Sequence, residues 1–175
     1  RSYAHDRAQQ INPRQATPSG QMTGRTSEGR DTTHFSILDQ AGNRVAATLS
    51  INYPFGSGFV AAGTGVLLND EMDDFSVKPG AANAYGLVGN HANAIAPGKR
   101  MLSSMSPTFV EGGGRIVILG TPGGSRIITS TLQTLINVVD HGMDAAQAVG
   151  APRVHHQWYP PLLYHEPFGL SPDTA

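Results

Sequence analysis

Thr32-Thr-His-Phe-Ser-Ile-Leu38 is the stretch from which this chain is best read. From Thr33 to Leu38 its residues alternate as a strand does, and Arg44-Val-Ala-Ala-Thr-Leu-Ser-Ile51 alternates again. Asp39-Gln-Ala-Gly-Asn43 between them is turn chemistry, so the two runs predict a β-hairpin. What precedes the hairpin is its opposite. From Pro13 to Asp31 the chain is Pro, Thr, Ser, Gly, Gln and charge, with Met22 as the only large apolar residue. Too little apolar surface is available there to offset the entropy of ordering, which predicts an exposed, mobile linker. A linker that runs straight into a strand opened by a hydroxyl residue has a chemical consequence. If the chain is cut between Asp31 and Thr32, Thr32 gains an α-amino group with a pKa of about 8. That amine is well placed to take the proton of the same residue's hydroxyl, so one residue supplies nucleophile and base.

Outward from this junction the pattern is mixed. Residues 1–12 predict a short helix with Ala4, Ala8 and Ile11 on one side and Asn12-Pro13 as its stop. After the hairpin come Phe55-Gly-Ser-Gly-Phe59 and a short apolar strand around Val66-Leu67-Leu68. Residues 76–100, rich in Gly and Pro, have little periodicity and suit a functional loop such as a lid. Ser106–Glu111 and Arg115–Leu119 flank Gly112-Gly-Gly114 and predict a second hairpin. Gly120-Thr-Pro-Gly-Gly-Ser125 then leads into the strongest helix, 125–141, whose Ile127, Ile128, Thr131, Leu132, Leu135, Ile136 and Val139 recur at helical spacing before Gly142. Asp144 caps a further short helix through Val149, and 153–159 and 162–165 are candidate strands.

Composition excludes several classes of function. Only 14% of residues are charged and the net charge is -1, against a usual charged share of about a quarter. Neither nucleic acid nor an anionic membrane would be held by such a surface, since both need a concentrated basic face. There is no cysteine, hence no disulfide, thiol nucleophile or thiolate metal site. No apolar run approaches the roughly 20 residues of a membrane span. His155-His156 and the scattered histidines lack the spacing of a metal site, so no metal or other cofactor is expected. The sparse charge suggests that part of the surface is covered by another chain, and both ends read as interior to something longer.

The run Thr32-Thr-His-Phe-Ser resembles the start of the small subunit of γ-glutamyltranspeptidases, a family of N-terminal-nucleophile hydrolases. The resemblance continues in order through Ser50-Ile-Asn52, Phe55-Gly56, Gly65-Val-Leu-Leu-Asn69, Glu71-Met-Asp-Asp-Phe-Ser76, Pro97–Pro107, Gly123-Gly-Ser-Arg126 and Ala151-Pro-Arg-Val-His-His-Gln157. It covers about residues 32–174, with 1–31 resembling the tail of the large subunit. It implies an α+β fold, the four-layer αββα sandwich of that superfamily, of which this chain holds only part. It also implies a division into a large-subunit tail and linker, 1–31, and a small-subunit catalytic domain, 32–175, truncated at its C-terminus.

Carried over by position, the resemblance makes Thr32 the nucleophile on a γ-glutamyl amide and places autocatalytic cleavage between Asp31 and Thr32. Ser50 stands where the family usually has Thr, whose hydroxyl orients the nucleophile. Asn52, Glu71 and Asp74 match residues that hold the glutamyl α-ammonium; an ammonium needs acceptors and a negative charge. Ser103 and Ser104 match binders of the α-carboxylate, and Tyr85 matches a lid-loop aromatic. Gly123 and Gly124 match the oxyanion-hole pair. The residues agree, since two glycines at the mouth of a helix leave N–H groups free and let a substrate oxygen approach. The family's carboxylate-clamping Arg comes from the large subunit, and nothing in 1–31 matches it. The partners expected are therefore that subunit and a small γ-glutamyl donor such as glutathione, and the family is commonly periplasmic or extracellular. An acylase of the same superfamily acting on glutaryl or cephalosporin side chains is the near alternative, and an uncleaved, inactive piece is the non-enzymatic one.

Overall fold

The computed structural model describes residues 2–9, 12, 14, 31–83 and 85–174. Most of the expected linker, 15–30, lies outside the described residues. A helix, α1, spans Ser2–Gln9. The first hairpin is formed by β1, Thr32–Leu38, and β2, Arg44–Ser50, antiparallel with Thr32 opposite Ser50 and Leu38 opposite Arg44. Its turn is built as its composition predicts. Both Asp39 carboxylate oxygens are used: Oδ1 accepts from Asn43 N–H at 2.8 Å and Oδ2 from Asn43 Nδ2 at 2.7 Å. Gly42, at φ +86°, takes the left-handed conformation. These bonds hold the Asp39 carboxyl below its ordinary range.

The second hairpin joins β3, Thr108–Gly112, to β4, Arg115–Leu119. β4 packs against both strands of the first hairpin. His34 is the hinge pin of that contact. Its Nε2 lies 3.1 Å from Ser36 Oγ, and Ser36 Oγ in turn donates to the Ile118 carbonyl at 3.2 Å. Since the Ser36 proton is engaged there, Nε2 carries the histidine proton and Nδ1 accepts from Thr48 Oγ1 at 2.9 Å. Burial lowers the His34 pKa, consistent with a neutral ring. Gly120, just after β4, is where the ring rests, and a Cβ there would overlap the imidazole. An ion pair from Arg44 to Glu111 also joins the hairpins.

A 3₁₀ turn, Gly124–Arg126, leads into α2, Ile127–Val139, so the expected helix of 125–141 is shortened at both ends. Gly123 and Gly124 have positive φ, which the α-helix does not admit. α3, Ala145–Gly150, carries a capping box between Asp144 and Gln147. The candidate strands of 153–165 reduce to β5, Val154–His155, paired with β6, Tyr164–His165. Val66–Leu68 is no strand: Leu67 makes one isolated bridge to Val60. Within the mixed α+β architecture the described strands thus form three separate antiparallel pairs.

The described core is small. Ile127, Ala148, Phe75, Tyr85 and Tyr159 are its buried apolar side chains. The first hairpin leaves Phe35, Ile37, Leu38, Val45 and Leu49 exposed. Apolar area of this extent on one hairpin is typical of a surface that meets another protein element.

The hairpin contact at Gly120 gives a stability prediction. Gly120→Ala should cost about 1–3 kcal/mol in urea unfolding, because the added methyl must displace the His34 ring. Gly112→Ala, where an added Cβ meets open space, should be nearly neutral.

Candidate active site

The register of the first hairpin places the first feature of the site. Thr32 and Ser50 are cross-strand neighbours, and their hydroxyl oxygens lie 2.9 Å apart. Ser50 Oγ also accepts from the Asn52 N–H at 2.9 Å. The chain then turns sharply, with Asn52 at φ +70° and its side chain buried. Non-glycine residues seldom adopt that conformation, and Asn is among those that tolerate it. The ladder extends one residue before Thr32, since Ile51 N–H reaches the Asp31 carbonyl at 3.4 Å.

These residues open into a cavity of about 370 Å³, within the usual range for small-ligand sites. Thr32, Ser50, Asn52, Glu71, Asp74, Tyr85, Ser103, Ser104 and Gly124 all line it, so nearly every residue singled out from the sequence meets in one place. Gly123 is not among the lining residues; it is the hinge of the turn, with φ +135°, and its carbonyl accepts from Arg126 N–H at 3.0 Å. Asp31 is not among them either.

One wall is acidic. Glu71–Asp74 form a 3₁₀ turn that carries Glu71, Asp73 and Asp74. Burial, followed by the charge and hydrogen bond of Glu71, pushes the Asp74 carboxyl up to about 7. Glu71 Oε1 is buried without a hydrogen-bond partner. The turn therefore sets the raised Asp74 carboxyl beside a buried carboxyl oxygen of Glu71 that lacks a donor. An organic ammonium would supply both the charge and the donors.

Another part of the lining is built around Tyr85, in the loop expected to be a lid. Its hydroxyl donates to Asn52 Oδ1 at 3.0 Å, and its ring stacks on Tyr53 at 5.6 Å. It lies so close to Gly124 that a Cβ there would come 2.8 Å from the tyrosine ring. Burial pushes the Tyr85 phenol up to about 12, with the nearby carboxylates adding to the shift, so it is a hydrogen-bond donor at neutral pH. The serines differ from each other. Ser104 Oγ donates to the Gly124 carbonyl at 2.8 Å, whereas Ser103 Oγ accepts from Met105 N–H at 3.2 Å and keeps its own proton available.

The cavity also includes Lys78, Asn83, Gln157 and Trp158, to which the sequence reading gave no role. Gln157 stands at the end of the quoted run from Ala151, but nothing local marks it as a cavity residue. His155 and His156 have separate partners, the latter accepting from Trp158 N–H at 3.2 Å. His155 is buried, with Nδ1 2.7 Å from Thr129 Oγ1 and Nε2 3.0 Å from Gln157 Oε1. Among the described residues no group of three or more His, Cys, Asp or Glu could hold a metal ion, and no helix is long and apolar enough to cross a membrane.

Thr32 at the head of β1 and Gly124 line the same cavity, and the solved structures this chain resembles have the N-terminal-nucleophile hydrolase fold. The solved γ-glutamyltranspeptidase T380A mutant of Helicobacter pylori superposes with a TM-score of 0.77 at 52% identity, over 81% of this chain and 77% of that one. The Pseudomonas nitroreducens γ-glutamyltranspeptidase complexed with L-DON gives a TM-score of 0.69 at 61% identity, over 73% and 67%. The chain belongs to the γ-glutamyltranspeptidase family, whose profile matches residues 1–175. It is 51% identical over 178 residues to the glutathione hydrolase proenzyme of Escherichia coli strain K12, matching 99% of this chain and 30% of that protein. The chain thus spans under a third of the length of that curated relative.

The acidic wall makes a prediction about stability. The folded-state value of Asp74 lies above its ordinary value of 3.8, so ionising it costs stability. That cost is absent at pH values below 3.8, grows as pH rises toward about 7, and is complete above it. Thermal melts should show Asp74→Asn equal to wild type near pH 4 and more stable than wild type at pH 8.

Proposed function

We propose that this chain is the catalytic half of an enzyme that transfers or hydrolyses γ-glutamyl groups, with Thr32 as nucleophile after cleavage between Asp31 and Thr32. The observation that carries the reading is the 2.9 Å contact of Thr32 Oγ1 with Ser50 Oγ at the edge of a cavity that also holds Asn52, Glu71 and Asp74. Cleavage would divide the protein at this junction, with 1–31 left on the large subunit and 32–175 belonging to the small one. The relatives' name, proenzyme, fits such a precursor.

The chemistry runs as follows. Asn52 N–H already donates to Ser50 Oγ, so the Ser50 proton is free to point at Thr32 Oγ1. The freed Thr32 amine takes the Oγ1 proton while Oγ1 attacks the γ-carbonyl carbon of the donor. Negative charge moves to the carbonyl oxygen, where the amides of Gly123 and Gly124 receive it. The intermediate collapses, the C–N bond breaks, and the leaving amine takes the proton back from the Thr32 ammonium. Water or the amine of an acceptor amino acid then resolves the γ-glutamyl ester. Glu71, Asp74 and Asn52 hold the donor's α-ammonium, and Ser103, with Ser104 beside it, meets its α-carboxylate. Tyr85 closes the cavity over Asn52.

The glutaryl-acylase reading is weaker because its substrates lack the α-ammonium that the acidic wall needs. An uncleaved, inactive piece is the remaining alternative, and the N-terminus of the purified protein distinguishes it. The exposed apolar residues of the first hairpin support a large subunit packed on this chain, which also supplies the carboxylate-binding Arg. A glutathione-like donor fits the relatives' name, and the periplasm or cell exterior is the proposed location.

Expressed with its large-subunit sequence, the protein should yield a new N-terminus at Thr32 and turn over a chromogenic γ-glutamyl anilide. Thr32→Ala should abolish both, and turnover by an uncut chain contradicts the mechanism. The donor ammonium is best held by an ionised Asp74, so KM for γ-glutamyl donors should fall as pH rises through about 7. Asp74→Asn should raise KM for these donors at least about tenfold and leave glutaryl amides little affected, whereas equal losses on both would remove Asp74 from the ammonium site.

A further inference from the structure

Gln157 makes four hydrogen bonds with one carboxamide: two within its own segment and two to distant parts of the chain. Nε2 donates to the Tyr85 carbonyl at 3.0 Å and to the Tyr159 carbonyl at 2.9 Å. Oε1 accepts from Ser125 Oγ at 2.7 Å and from His155 Nε2 at 3.0 Å. This is the full capacity of a primary amide, two donors and two acceptors. The pattern also fixes which way the amide faces. Two carbonyl oxygens can meet only the NH₂ end, and a serine hydroxyl and an imidazole N–H meet the oxygen. His155 passes the connection to α2 through Thr129 Oγ1 at 2.7 Å.

The two arms that matter reach two segments of the cavity lining that are far apart in sequence. Tyr85 carries the hydroxyl that holds Asn52, and Ser125 directly follows Gly124. The Tyr85 ring also rests on Gly124. The distance between the tyrosine and the glycine turn is therefore set twice, once by ring contact and once by the Gln157 amide. We propose that Gln157 is a positioning residue that latches the Tyr85 loop to the Gly124–Ser125 turn and so aims the Tyr85 hydroxyl at Asn52. Its effect on turnover rests on the acyl-transfer reading above; the latch itself does not.

Gln157→Glu tests this with almost no change of size. The glutamate still accepts from Ser125 and His155, but its other oxygen faces two carbonyl oxygens and repels them. The test uses the protein expressed with its large subunit. In hydrogen exchange, the Tyr85–Leu87 amides should exchange at least about tenfold faster in the variant, while those in the middle of α2 keep their protection. In turnover of a γ-glutamyl anilide, kcat/KM should fall roughly 30-fold in an otherwise wild-type background. In a Tyr85→Phe background the same substitution should cost less than about threefold, because no hydroxyl remains to be aimed. Unchanged exchange at 85–87, or losses from Gln157→Glu and Tyr85→Phe that simply multiply, would overturn the latch. If the glutamate variant does not fold, Ser125→Ala removes one arm alone. It should speed exchange at 85–87 by a few-fold, and no change there counts against the proposal. A wild-type protein without turnover sinks the acyl-transfer reading and leaves the exchange arm to judge the latch.

Discussion

The hydroxyl contact between Thr32 and Ser50 is the constraint on which the rest of this molecule hangs. It exists because two strands are paired in one register and not the next. A slip of one residue would turn Ser50 to the other face of the hairpin and leave Thr32 without it. The register is set at the far end, where the Asp39 carboxylate is fully engaged by Asn43 and Gly42 takes the left-handed turn. Seven residue pairs away, that turn decides which side chain stands opposite Thr32. Ser50 then hands the geometry on, since its oxygen receives the Asn52 N–H and brings Asn52 into the cavity.

Beyond the hairpin the site is made of loops, and loops need other means of being held. Asn52 is buried and bonded to Tyr85; Tyr85 lies against Tyr53 and Gly124; Ser104 grips the Gly124 carbonyl. Polar bonds and ring contacts do here what regular ladders do elsewhere. The acidic wall is the exception. Its carboxyl groups are held near one another, so ionising Asp74 near neutral pH costs stability, and the proposed donor ammonium would relieve that cost.

Much of this was legible in the residues. The first hairpin followed from alternation and turn chemistry, and α2 from its helical spacing, because both are local patterns. The start of α2 was misplaced by two residues because Gly123 and Gly124 take positive φ and force a 3₁₀ turn before the helix. The apolar run Val66–Leu68 has the composition of a strand, yet among the described residues only Leu67 finds a bridge. Strands 153–159 and 162–165 shrank to two residue pairs, with Pro160 and Pro161 between them unable to donate to a ladder. Of the residues to which the resemblance gave a role, all but Gly123 and Asp31 line the cavity. The resemblance said nothing of Gln157, whose partners at Tyr85 and Ser125 are 72 and 32 residues away. No local pattern reports a side chain whose role is defined at that distance.

The proposed reaction is covalent: it requires the Thr32 oxygen to carry the γ-glutamyl group between donor and acceptor. Acid-quenched mass spectrometry during turnover of a slow γ-glutamyl donor addresses it directly. The account predicts a fragment that begins at Thr32 and is heavier by one glutamyl residue, with the added mass on Thr32 and sensitive to hydroxylamine as an ester is. Turnover at a measurable rate with Thr32 unmodified, or the added mass on another residue, would contradict it.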